Sequence, residues 1–145
     1  ICICYLVLVS FGVCYNKIMK TILVDAIDGI VLKDGTLFQE MYEMLETFPN
    51  RKIVLTGAND EQFKQFNLGE VPYEVFTLKH DPEKTDPKYF HILLEKYNLQ
   101  ANEVIFFEHN QEAVTSAETA GIKTYYYDPI KKDLVGLKAF LISNL

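Results

Sequence analysis

Five short apolar runs, each separated from the next by a helical period or a polar turn, constrain this chain more than any other feature. They are TILVD (Thr21–Asp25), KIVLT (Lys52–Thr56), EVFTL (Glu74–Leu78), VIFFE (Val104–Glu108) and KTYYYD (Lys123–Asp128). Runs this continuous lack the polar alternation of a half-exposed strand, so they read as strands buried on both faces of a parallel sheet. Between them, Leu37, Met41, Met44, Leu45 and Phe48, and later Phe90, Leu93, Leu94 and Tyr97, recur at spacings of three and four. Each set is one apolar stripe of a helix, suited to covering a sheet face. KKDLVGLKAFLISNL supplies a final helix. The boundary chemistry agrees: Asp86 is an N-cap before Pro87, Asn59 precedes DEQF, and Gly121 closes QEAVTSAETA. The alternation predicts an α/β fold, a three-layer sandwich around a Rossmann-like, mostly parallel five-stranded sheet.

The chain has 145 residues, enough for one domain with a real core. A net charge of −6 argues against a nucleic-acid partner, because a phosphate backbone needs clustered cations. Cys2, Cys4 and Cys14 all fall in the first fourteen residues, so nothing later suggests a disulfide framework, and a reducing, cytoplasmic setting is expected. The opening ICICYLVLVSFGVCY is apolar, yet it lacks a basic n-region and a small-x-small cleavage site and is short for a membrane span. Met19-Lys20 stands directly before the first strand. Residues 1–18 are therefore expected to be a hydrophobic leader, from upstream translation or artefact, and residues 19–145 the domain, with no membrane association if the leader is an artefact.

Open parallel sheets bind ligands beyond the carboxyl ends of their strands. Read in order, those ends carry Asp25 and Asp28, then Thr56-Gly57, then Lys84 ahead of a helix, then Glu108-His109-Asn110. Acid, hydroxyl, lysine and acid together suit phosphoryl transfer. A carboxylate attacks phosphorus, a hydroxyl and an ammonium hold the equatorial oxygens, and further carboxylates hold Mg²⁺.

On these residues the chain resembles the haloacid dehalogenase-like hydrolase superfamily over nearly all of Met19–Leu145. ILVDAIDGIV matches its first signature loosely, IVLTG its second, KTDPKYF its third, and VIFFEHNQEAVTSAETAGI the outline of its fourth. The resemblance implies Asp25 and Asp28 as catalytic residues, Thr56, Gly57 and Lys84 as phosphate-binding residues, and Asp25, Glu108 and His109 as the metal positions. It also implies Mg²⁺ as the cofactor of an active member. Asp28 and Leu55 are only 27 positions apart, and so are Gly57 and Lys84, which leaves room for a hairpin and helix but for no cap domain.

Two departures from the family pattern bear on function. Its first motif has acids two apart, the first attacking phosphorus and the second serving as acid/base; here they are three apart. If ILVD sets the register, Asp25 is the nucleophile and Ile27 takes the acid/base place; if DGIV sets it, Asp28 is the acid/base and Ala26 replaces the nucleophile. A one-residue bulge would restore both. In the fourth motif His109 replaces the usual Mg²⁺ ligand, and imidazole suits that hard ion poorly. Held by Asn110 or Glu112, His109 reads as a neighbour of a helix cap. His80 and His91 carry no site signal. Asp34-Gly35, in KDGTLF, reads as the turn of a small flap hairpin.

Three functions remain open at this point. The first is a domain with impaired catalytic motifs that binds a phosphorylated small molecule or a protein partner. The second is a Mg²⁺-dependent phosphohydrolase using Asp25, and the third is an interaction module that keeps only the fold.

Overall fold

The computed structural model describes residues 18–145. The leader, apart from Ile18, lies outside the described residues. Five strands form one parallel sheet: β1 (Thr21–Asp25), β2 (Lys52–Thr56), β3 (Glu74–Thr77), β4 (Val104–Glu108) and β5 (Lys123–Tyr126), in spatial order β3-β2-β1-β4-β5. The chain winds outward from β1 to one edge, then returns to β4 on its other side. That reversal opens a crevice at the carboxyl ends of β1, β2 and β4, where an open α/β sheet places its ligand. Register aligns those ends, with Asp25 opposite Leu55 and Val24 opposite Phe107.

Alternate residues of each strand feed two cores. Ile22, Val24, Val54, Ile105 and Phe107 pack under helices α1 (Gln39–Glu46) and α5 (Leu134–Asn144). Leu23, Ile53, Leu55 and Phe106 pack on the other face, under α3 (Pro87–Tyr97) and α4 (Gln111–Thr119). The result is the three-layer α/β sandwich expected from the sequence. Helix α2 (Asp60–Gln65) starts at Asn59, whose side chain accepts from the Gln62 N–H while the Gln62 side chain accepts from the Asn59 N–H. Asp86 caps α3, with Pro87 at its first position.

Several ends differ from the sequence expectation, each for a local reason. β3 stops at Thr77 because Lys79 and His80 both adopt left-handed backbone, with φ of 53° and 66°. β5 stops at Tyr126, and Asp128 instead accepts the backbone N–H groups of Ile130 and Lys131 in a turn. Leu37 does not enter α1, since it pairs with Val31 in the flap hairpin. That hairpin closes as expected at Asp34-Gly35, where Leu32 N–H donates to the Thr36 carbonyl at 2.8 Å and Gly35 has a φ of +82°. Among the described residues, no helix is long and apolar enough to cross a membrane.

Candidate active site

Asp25, the last residue of β1, is fully buried, and so is Glu108 at the end of β4, so each carboxylate needs a partner. Lys84 serves both. Lys84 Nζ donates to Asp25 Oδ1 at 2.8 Å and to Glu108 Oε2 at 2.7 Å, reaching in from the loop between β3 and α3. On the other side His109 donates its backbone N–H to Asp25 Oδ2 at 3.1 Å and pairs its ring Nδ1 with the same oxygen. Its ring also lies 3.2 Å from Glu108 Oε1, which accepts the Asn110 N–H. His109 is thus held by the two buried acids, and not by Asn110 or Glu112; Asn110 uses its side chain to cap α4 through the N–H groups of Glu112 and Ala113.

The charges follow from these contacts. Burial would raise Asp25, but the Lys84 ammonium and the His109 hydrogen bond outweigh it and hold its carboxyl at about 2. Lys84 is pushed up despite burial, by Asp25 and Glu108. Burial, with Asp25 beside it, pushes Glu108 up; against this, three N–H donors face its two oxygens, an arrangement that suits a carboxylate. Hydrogen bonds to Asp25 and Glu108 raise the His109 imidazole to about 10, so it is an imidazolium at neutral pH.

A cavity of about 200 Å³ opens over this cluster, and Asp25, Thr56, Gly57, Lys84, Glu108 and His109 all line it. The residues expected to bind phosphate therefore share one pocket with three of the expected catalytic and metal positions. Asp28 does not line it. Its backbone is left-handed, φ 64°, its N–H donates to the Val31 carbonyl, and its side chain lies 3.8 Å from His109 Nε2 and 3.8 Å from Lys33 Nζ. Asp25 is the last residue of β1, and Ile27, two residues on, lines the cavity.

Sequence reasoning passed over the rim. Gln62, His80 and Glu83 also line the cavity, so His80, read as carrying no signal, belongs to the site. His80 Nε2 meets Gln62 Oε1 at 2.5 Å, and Nδ1 meets Glu83 Oε1 at 2.9 Å. The Gln62 amide cannot be flipped without loss, because Oε1 also accepts the Asn59 N–H. The usable signal was position: His80 stands in the loop that delivers Lys84. Gly57 is where this loop comes closest, and a Cβ there would lie 3.1 Å from Glu83 Oε2 and 3.3 Å from His80 Nδ1.

Asp25, Glu108 and His109 offer three ligand atoms within 4.8 Å of one another, so the group could hold a metal ion. The donor set suits Mg²⁺ poorly: the Lys84 ammonium already sits on one oxygen of each acid, and the third ligand is an imidazole, whereas Mg²⁺ takes an octahedron of oxygens.

No family model and no curated protein matches this chain by sequence. Solved structures do match in three dimensions. A HAD-family enzyme of Bacteroides thetaiotaomicron, solved as an aspartate-to-alanine mutant with magnesium and inorganic phosphate, matches with a TM-score of 0.54 at 12% identity, covering 74% of this chain and 93% of that one. A hydrolase from Streptococcus pneumoniae gives a TM-score of 0.58 at 19% identity over 74% of this chain and 58% of its own. The fold is haloacid dehalogenase-like. A haloacid dehalogenase-like protein of unknown function from Agrobacterium tumefaciens matches equally well, with a TM-score of 0.58 at 13% identity over 74% of this chain and 60% of its own. At these identities the HAD-like likeness is one of fold, and the site has to be read from its own residues.

Proposed function

We propose that this HAD-like domain binds a phosphate monoester, on a small molecule or a protein partner, in the Asp25–Lys84–His109 pocket, without Mg²⁺ and with little or no turnover. The observation that carries the reading is the exchange of two parts at once: Ile27 lines the cavity where a proton donor would be needed, and His109 stands among the carboxylates where a metal would be needed. A divalent ion held by one further carboxylate adds a single net positive charge to such a pocket. A protonated His109 adds the same. Phosphate would then meet the Lys84 ammonium, the His109 imidazolium and the Thr56 hydroxyl, an anion site assembled from fixed donors. A working phosphohydrolase using Asp28 as acid needs that carboxylate in the cavity, and its place outside the cavity lining counts against it.

Two measurements test this. Calorimetric titration with inorganic phosphate in chelator-treated buffer should give saturable binding that Mg²⁺ does not strengthen and that Lys84→Ala abolishes. Turnover of an aryl phosphate should fall roughly 10²–10⁴-fold short of an enzyme with its acid in place. Ordinary phosphatase turnover that depends on Mg²⁺ would refute the proposal.

A further inference from the structure

Resting on that phosphate-binding reading, we propose that Glu83 selects what the phosphate is attached to: the pocket takes a small monoester that carries its own ammonium group, an aminoalkyl phosphate, with Glu83 Oε2 accepting from the ammonium. Three carboxylates line the cavity, and two of them are fully engaged. Lys84 and His109 occupy both oxygens of Asp25, while Lys84, His109 and the Asn110 N–H occupy both of Glu108. Glu83 differs. His80 Nδ1 meets its Oε1 at 2.9 Å, whereas no group among the described residues bonds its Oε2. That oxygen lies over the end of β2, since a Cβ on Gly57, the residue after Thr56, would stand 3.1 Å from it. An open carboxylate oxygen therefore flanks the groups that would hold phosphate.

Charge gives that oxygen its consequence. On the floor, Lys84 and His109 face Asp25 and Glu108, two cations against two acids, so a bound phosphate dianion brings charge that the floor does not cancel. The Glu83 carboxylate then adds repulsion to any ligand that is anionic throughout. An ammonium a few bonds from phosphorus reverses the sign, because it donates a charge-assisted hydrogen bond to Glu83 and lowers the net charge of the ligand. Ile27 supplies an apolar wall for the methylenes between the two charges. At about 200 Å³ the cavity is smaller than the usual site of a drug-sized molecule, and a short spacer fits it best.

The test is calorimetric titration of the full chain, at neutral pH in chelator-treated buffer, with aminoethyl phosphate and with propyl phosphate, which has a methyl group in place of the ammonium. Expected is about tenfold tighter binding of the amine, the low end for a hydrogen bond to a charged group because Glu83 is half exposed. In Glu83→Gln the ratio of the two affinities should fall close to one. The ratio for the natural chain decides the matter even if that variant does not fold. Equal affinities for the natural chain, or a preference for the amine that survives Glu83→Gln, overturn the inference and leave the binding reading intact. Failure to bind either ester overturns the binding reading as well.

Discussion

Lys84 is the residue on which the electrostatics of the pocket turn. It is the one ammonium between two fully buried acids, so removing it leaves both without their shared partner. Lys84→Met should destabilise the fold by about 3–5 kcal/mol, measured by urea unfolding, and adding Asp25→Asn should recover part of the loss. His109 gives a pH signature. Its folded value of about 10 lies above its ordinary 6.5, so its contribution to stability is fully present below about 6.5 and disappears as pH rises through about 10. The unfolding midpoint of the natural chain should fall across that window, and His109→Gln should flatten the slope. Both acids were legible from strand ends, and Lys84 from its place ahead of a helix. The partnership of His109 with Asp25 was not, because contacts across eighty-four positions leave no local pattern.

At the scale of elements, the loop after β1 decides what the site can do. Asp25 ends the strand, and Ile30 N–H and Gly29 N–H then fold back onto the Asp25 and Ala26 carbonyls in one tight turn. Gly29 permits it: a Cβ there would stand 2.2 Å from the Asp25 backbone oxygen, a contact no side-chain adjustment relieves. Gly29→Ala should therefore cost roughly 1–3 kcal/mol in thermal or urea unfolding and lower phosphate affinity, since the same turn aims Asp25. The strands and the helix caps were legible because apolar runs and cap residues act locally. The two registers open to this loop have no local signal to separate them, and Ile27's place in the cavity lining could be seen only in the folded chain.

The described residues form two cores, one on each face of a single sheet. A chain starting at Met19 is accordingly expected to unfold in one cooperative transition, with circular dichroism and tyrosine fluorescence coinciding. Aggregation of that chain, or separate transitions for the two probes, would mean that earlier residues complete the fold. The fold class could be read before any coordinates because a parallel sheet covered on both faces demands apolar strands and striped helices in alternation. The rim of Gln62, His80 and Glu83 could not, since each is an ordinary polar residue until α2 and the β3–α3 loop meet over Gly57.

The flap hairpin has one more implication, for engineering. Its turn at Asp34-Gly35 is held by Asp34 accepting from Thr36 and by the Asn67 amide donating to the Gly35 carbonyl, while Ile27 at its base lines the cavity. Gly35 is buried, but Lys33 and Asp34 are exposed, and an exposed tip is where a second polypeptide can be spliced in. A segment inserted between Lys33 and Asp34 would be carried on the hairpin, outside β1 and the residues that line the cavity.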